Sequence, residues 1–235
     1  MGRIVLLPGL DGTGALFDDF VRAAPLAMRP EVASLPCVSL GYAELAERIA
    51  PQLQLTPDTI LLAESFSGPL AILLAQRQQI AALMLCNSFV TSPRSRALAA
   101  LPLAPLFHLP LPAAVVRWFL VGSDASDALV ERVRATVSSV PPSVLAARVS
   151  SVLRVDVAGS LTRCSAPIFY LRGTKDRLVP EASVDAVVRA APVSVSVVRV
   201  PGPHMLLQVA PEAAWRAIEN AVLDPSQSLA VEPGH

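Results

Sequence analysis

The feature that most constrains this chain is an alternation. Short apolar runs, rich in leucine and β-branched residues, alternate with segments of helical periodicity. Ile4-Val5-Leu6-Leu7, Thr59-Ile60-Leu61-Leu62-Ala63, Ala82-Leu83-Met84-Leu85-Cys86, Ile168-Phe169-Tyr170-Leu171 and Val195 to Val200 read as strands, with Val32 to Leu35 a weaker second one. Between them, Tyr42 to Leu53 carries Leu45, Ile49 and Leu53 at spacings of four, the mark of one buried helical face. Ala15 to Ala24, Phe66 to Arg77, Glu181 to Ala190 and Gln208 to Val222 also read as helices. Strands that are apolar along their whole length are buried on both faces, so helices must cover both sides of their sheet. The expectation is an α/β chain with a mostly parallel sheet of about six strands.

The alternation stops between Thr91 and Arg163, where the chain is helical and punctuated by proline. This predicts a core built from residues 1–90 and 164–223, a helical cap inserted at 91–163 over the C-terminal edge of the sheet, and a loose polar tail at 224–235. A length of 235 residues suits one such domain. Hydrophobic residues make up 53% of the chain, which implies a thick core and an apolar ligand pocket. The formal net charge is zero and no basic cluster occurs, so a nucleic-acid partner is not expected. The three cysteines, Cys37, Cys86 and Cys164, have no metal-ligand spacing, and their odd number argues against a disulfide framework. The longest apolar stretch, Ala97 to Gly122, is broken by Pro102, Pro105, Pro110 and Pro112, so no membrane span is expected. The first apolar run is too short for a signal peptide, and a cytoplasmic location is the expectation.

Chemistry in an open parallel sheet collects at the C-terminal strand ends, and four stretches fall there. Ala63-Glu64-Ser65-Phe66-Ser67 joins a strand to a helix through small residues on either side of Ser65. Such spacing suits a nucleophile on a sharp turn, where strand and helix backbones nearly touch; a helix N-cap serine is the plainer alternative. Pro8-Gly9-Leu10-Asp11-Gly12-Thr13-Gly14 follows the first strand and can expose backbone N–H groups. The amides of Leu10 and Phe66 are the expected oxyanion donors. A phosphate-binding loop is the rival reading, but the lysine and glycine spacing of the known phosphate-binding patterns are missing. Asp176, in Leu171 to Pro180, could orient an imidazole, with Asp124 and Asp156 as competitors in the predicted cap. His204, in Pro201-Gly202-Pro203-His204-Met205, stands at a strand end, unlike His108 and His235. Ser65, Asp176 and His204 then form a nucleophile–acid–base order along the chain.

With these four motifs in register, the chain resembles the α/β-hydrolases over essentially its whole length. More narrowly, PGLDGTG with AESFSG is similar to small bacterial members and to the hydrolase-like acyltransferase part of plant phytyl ester synthases. Two departures stand out: Pro8-Gly9 replaces the His-Gly pair that many esterases of this fold carry, and the elbow lacks both flanking glycines. The sheet is expected to start directly with the strand before the Pro8–Gly14 loop, without the two antiparallel strands that usually open the fold. The resemblance implies acyl transfer: Ser65 attacks a carbonyl, His204 takes its proton, Asp176 holds His204, and no metal or cofactor takes part.

The leading expectation is a carboxylesterase for small-molecule esters with apolar short-to-medium acyl or alcohol groups. Asp11, Phe107, His108, Trp118, Phe119 and Met205 are the pocket candidates, although His108 also reads as a satisfied cap histidine. An acyltransferase or thioesterase with the same triad is the first alternative, with Arg94, Arg96 and Arg117 as a hint of a basic rim for a carrier. A catalytically idle ligand-binding module is the second. Glu64, beside the nucleophile, reads as a hydrogen-bond anchor under the elbow rather than a reacting group.

Overall fold

The computed structural model describes residues 3–28, 30–95, 104–223 and 230–231. Its strands are β1 (Ile4–Leu7), β2 (Pro30–Val32), β3 (Ile60–Glu64), β4 (Ala82–Cys86), β5 (Ile168–Gly173), β6 (Val195–Val200) and β7 (Ala230–Val231). They form one sheet in the order β2-β1-β3-β4-β5-β6-β7. The first six strands run parallel, and β7 pairs antiparallel with β6. The segment expected to be a loose tail therefore contributes two residues to the sheet edge.

The helices are α1 (Asp18–Arg22), α2 (Tyr42–Leu53), α3 (Ser67–Ala75), α4 (Ala113–Val115), α5 (Asp127–Ser138), α6 (Pro142–Arg154), α7 (Ala158–Leu161), α8 (Ala182–Ala190), α9 (Leu206–Val209) and α10 (Pro211–Leu223). Short 3₁₀ turns occupy Ala15–Phe17 and Ala104–His108, and Val116–Val121 winds as a π-helix. Among the described residues, everything between β4 and β5 is helix, turn or loop apart from a single bridge between Thr91 and Asp156.

The period-two alternation of the strands divides the core into two layers. Val5, Leu7, Leu61, Ala63, Leu83 and Leu85 face α2 and α3 on one side, together with Leu45, Ile49, Leu70 and Leu74. Ile4, Leu6, Ile60, Leu62, Met84 and Cys86 face the other side, against Phe17, Phe20, Trp215 and Ile218 of the N- and C-terminal helices. Trp215 anchors that second layer: its ring stacks on Phe20 at 4.5 Å between centroids, and its indole N–H donates to the Phe20 carbonyl at 2.7 Å.

Two boundaries differ from the sequence expectation. The second strand ends at Val32, earlier than the apolar pattern suggests. The amide of Ala33 still donates to Leu6, but the Leu35 amide donates to Gly12, so the chain has already turned toward the loop after β1. The last helix is two helices, because Pro211 lacks the N–H a continuous helix would need and begins a new one. Strand β1 lies between β2 and β3, so successive connections leave it in opposite directions. The crevice outside the C-terminal ends of such a pair is where open α/β sheets bind ligands. The loop after β1 and the turn after β3 meet there.

Trp215→Ala should lower the unfolding free energy by about 3–5 kcal/mol, since it removes a buried ring, its stacking partner and an indole hydrogen bond. Denaturant unfolding measures this; a change below about 1 kcal/mol would show that the layer repacks.

Candidate active site

Ser65 has φ of +49°, a left-handed conformation that non-glycine residues seldom adopt. The turn that imposes it is fixed on several sides. The Ser65 amide donates to Cys86 at 2.8 Å, while its carbonyl accepts from the Ser88 hydroxyl at 2.6 Å and from the Gly68 amide at 3.2 Å. The helix that follows must run close to β4: a Cβ on Gly68 would lie 1.8 Å from Ser88 Oγ. Ser67 Oγ donates to the Pro8 carbonyl and ties this turn to the loop after β1. The small residues around Ser65 are thus required by backbone contact.

Ser65 Oγ lies 2.9 Å from His204 Nε2, and His204 Nδ1 lies 3.0 Å from Asp176 Oδ2. A carboxylate can only accept here, so Nδ1 carries the proton and Nε2 is left as the acceptor for the serine hydroxyl. The His204 and Asp176 side chains are almost wholly enclosed. Burial works to raise the Asp176 carboxyl. The His204 hydrogen bond and charge, with the amides of Val179 and Leu178, outweigh it and hold Asp176 below the ordinary range. Asp176 Oδ1 accepts those two amides at 3.1 and 2.8 Å, which fixes the carboxylate's orientation.

Three supporting residues escaped the sequence reading. Arg172, buried at the end of β5, donates to Asp176 Oδ2 at 2.9 Å and to Glu181 at 3.1 Å, and Glu181 in turn pairs with Arg199. Asn87, with φ of +45°, stands at the position after β4 where no acid occurs. Its Nδ2 donates to the carbonyls of Pro203 and His204, at 3.1 and 2.7 Å, and its Oδ1 accepts the Gly173 amide. This clamp joins the ends of β4, β5 and β6. Gly173 makes it possible, since a Cβ there would lie 2.5 Å from the Pro203 carbonyl oxygen. Tyr170 adds a second tie, its hydroxyl accepting from the Ser88 amide and donating to the Ser88 carbonyl. An apolar β5 run and an Asn-Ser pair give no local signal of these roles.

Phe66 follows Ser65 directly, and Leu10 lies in the loop after β1 that Ser67 ties to this turn through the Pro8 carbonyl. Among the described residues neither amide donates within a turn or loop. Phe66 is held by the Tyr42 hydroxyl, which donates to its carbonyl at 3.0 Å, and by ring stacking with Tyr42 at 4.9 Å. Asp11 is engaged by its own loop, Oδ1 accepting from the amide and hydroxyl of Thr13.

The other pocket candidates separate. Phe107 packs with Leu10, Val137, Val140, Val144 and Leu145, on the Leu10 side of the site. Met205 is buried among Leu16, Val116, Val121, Val130 and Val133. His108 and Phe119 are exposed. Trp118 is exposed beneath the Arg177 guanidinium, 3.8 Å from the ring centroid, and borders a cleft of about 790 Å³ with Lys175, Arg177, Pro203 and Gln208. Pro201, Gly202 and Pro203 of the loop that carries His204 line that cleft, while Ser65, Leu10, Phe66 and His204 are not among its walls. Of the three arginines read as a basic rim, Arg117 is consumed by Asp127 and the carbonyls of Ser123 and Ala125, and Arg94 donates to the Arg177 carbonyl. Arg96 lies outside the described residues.

Glu64 is 4% exposed at the end of β3. Burial, opposed by a 3.1 Å hydrogen bond from Gln208 and assisted by Asp11, pushes its carboxyl up to about 8. It is therefore neutral at pH 7. Glu64 Oε1 and Gln208 Oε1 both lack partners among the described residues. The pair connects the residue before Ser65 to the helix after His204.

No family model matches the chain, and no curated protein matches it. Solved structures do. An esterase from Thermogutta terrifontis is 20% identical with a TM-score of 0.75, covering 95% of this chain and 90% of its own. An enol-lactonase from Burkholderia xenovorans LB400 is 15% identical with a TM-score of 0.75, covering 95% and 92%. A hydrolase from Oleispira antarctica is 13% identical with a TM-score of 0.76, covering 95% and 92%. The chain has the α/β-hydrolase fold. Among the described residues no helix is long and apolar enough to cross a membrane.

Glu64 supplies a pH-dependent stability. Its folded-state value lies above the unfolded one, so the stability from the neutral form is complete below about pH 4.5 and is lost as pH rises through about 8. Glu64→Gln should flatten the stability curve across that window and leave the protein more stable than wild type at pH 8, by on the order of 3 kcal/mol. Thermal or urea unfolding from pH 5 to 9 measures it, and parallel curves for the two proteins would show that Glu64 is not buried as a neutral acid.

Proposed function

We propose that this protein is a serine hydrolase that cleaves carboxylic esters with apolar short-to-medium acyl or alcohol groups. One observation carries the reading: Ser65, on a left-handed turn at a strand end, has its hydroxyl within 2.9 Å of an imidazole whose other nitrogen meets a buried carboxylate at 3.0 Å. A serine needs such an adjacent base to act as a nucleophile near neutral pH.

In this reading Ser65 Oγ attacks the ester carbonyl while His204 Nε2 takes its proton. The carbonyl π electrons move to oxygen, and the amides of Leu10 and Phe66 hold the resulting oxyanion, each worth about 3 kcal/mol in the transition state. Asp176, kept ionised, stabilises the imidazolium. His204 then returns the proton to the leaving alkoxide as the C–O bond breaks, and the acyl group stays on Ser65. Water, deprotonated by the same imidazole, adds to the acyl carbon, and collapse of that adduct releases the acid and restores Ser65. The helical insertion serves as a cap. Its apolar wall beside Leu10, formed by Phe107, Val140, Val144 and Leu145, favours an apolar acyl group. The esterase and the enol-lactonase of the same fold add analogy, not identity of substrate.

Acyl transfer to a second acceptor, or hydrolysis of a thioester, would use the same groups. Of the arginines read as a basic rim for a carrier, Arg117 is paired with Asp127. An idle binding module would have no use for the backbone strain at Ser65.

Hydrolysis of p-nitrophenyl acetate through octanoate tests this reading, with Ser65→Ala and His204→Ala beside the wild type. Each substitution should lower kcat by at least about a thousandfold while the fold is retained. Turnover that survives Ser65→Ala would overturn the assignment.

A further inference from the structure

Two basic side chains are buried among the described residues, Arg148 and Arg172. Arg172 is matched by Asp176 and Glu181. Arg148, in α6 of the insertion, is 1% exposed, and among the described residues no carboxylate forms an ion pair with it. Burial works against its charge, with only the more distant Asp11 and Cys37 favouring it. An arginine does not escape by losing its proton, and a buried charge without a counter-charge is costly. Its Nε lacks a hydrogen-bond partner as well. Simple packing of α6 would be served better by an apolar side chain.

Its contacts show what the charge is placed for. Nη1 donates to the carbonyls of Leu10 and Asp11 at 2.8 and 2.7 Å, and Nη2 donates to that of Pro36 at 3.0 Å. The guanidinium carbon lies 5.9 Å from the centroid of the Phe66 ring. One side chain thus touches both residues whose amides serve as oxyanion donors. The loop is shaped around it: Gly12 has φ of +70°, and a Cβ there would lie 2.5 Å from Arg148 Nη1.

Resting on the serine-hydrolase reading above, we propose that Arg148 is the positioning residue of the oxyanion hole. It grips the carbonyls of Leu10 and Asp11 and so holds the turn that carries the Leu10 amide, while the Gly9 carbonyl, in the same peptide plane as that amide, is held by the Gly12 N–H at 3.1 Å. Its positive charge, favoured in the resting protein only by Asp11 and Cys37 without an ion pair, gains a further counter-charge when negative charge develops on the substrate oxygen. Both effects belong to the transition state rather than to the bound substrate. The insertion that covers the site therefore also completes it.

The test uses the full-length protein and a p-nitrophenyl ester that the wild type turns over, together with a trifluoromethyl ketone of the same acyl length. Ser65 adds to the ketone carbonyl, its proton passing to His204, and the hemiketal oxygen becomes an oxyanion. Arg148→Gln, which removes the charge and the fork, should lower kcat about 30-fold or more with KM changed less than about threefold, and should weaken the ketone by the same factor as kcat/KM. Arg148→Lys, which keeps the charge without the fork, should fall between Gln and wild type. Arg148→Met, which keeps an apolar stem without the charge or the fork, should produce the same pattern and serves if Arg148→Gln fails to fold. Folded variants with wild-type kcat, or a loss confined to KM with ketone affinity unchanged, would overturn the role of Arg148. A wild type that neither hydrolyses esters nor binds the ketone would overturn the serine-hydrolase reading itself, a result distinct from the first.

Discussion

The left-handed turn at Ser65 is the constraint from which the rest of the site follows. A non-glycine residue at φ of +49° is strained by about 1–3 kcal/mol and persists only where its surroundings leave no other choice. Here the surroundings are the C-terminal ends of two strands. The β3–β4 register puts Glu64 opposite Cys86. The next amide, that of Ser65, closes onto the Cys86 carbonyl, and Ser88 reaches back to the Ser65 carbonyl. Helix α3 must leave at once, close enough to β4 that Gly68 has no room for a side chain. The serine hydroxyl is carried above the sheet edge as a consequence of backbone packing.

The same sheet edge brings the other groups to it. Ser65 and His204 are 139 residues apart in the chain, yet parallel strands deliver every loop of one kind to one end. Asn87 converts this general convergence into fixed distances, joining Gly173 to the carbonyls of Pro203 and His204. Arg172 fixes the acid in the same way. On the far side of Ser65, Arg148 and Tyr42 hold Leu10 and Phe66. Each of these groups is thus backed by a buried polar contact from a different element. Such support holds a constellation to the tolerance its chemistry needs.

Much of this was legible in the sequence because it rests on local signals. The alternation of wholly apolar runs and helices requires a covered parallel sheet, and Ser65, Asp176 and His204 each follow such a run. Residues whose meaning arises only from topology were not legible. Arg172 sits in an apolar strand, Asn87 in an ordinary turn and Arg148 in a helix with no motif; their roles depend on which strand ends are neighbours. The insertion was legible as helical but not in detail. Trp118, read as a pocket candidate from the aromatic residues of the insertion, lies beneath Arg177 and lines a cleft with Gly202 and Pro203. The apolar pattern from Val32 to Leu35 runs past the end of β2 because the Leu35 amide turns to the Gly12 carbonyl, a contact that no local signal shows.

The central claim is that the turn makes Ser65 a competent nucleophile. Treating the native protein with a fluorophosphonate and mapping the adduct by peptide mass spectrometry tests it most directly. The account predicts one phosphonyl group per chain, on Ser65, and none when the protein is first unfolded in urea. An unlabelled native protein, or a label on another hydroxyl such as Ser88, would contradict it.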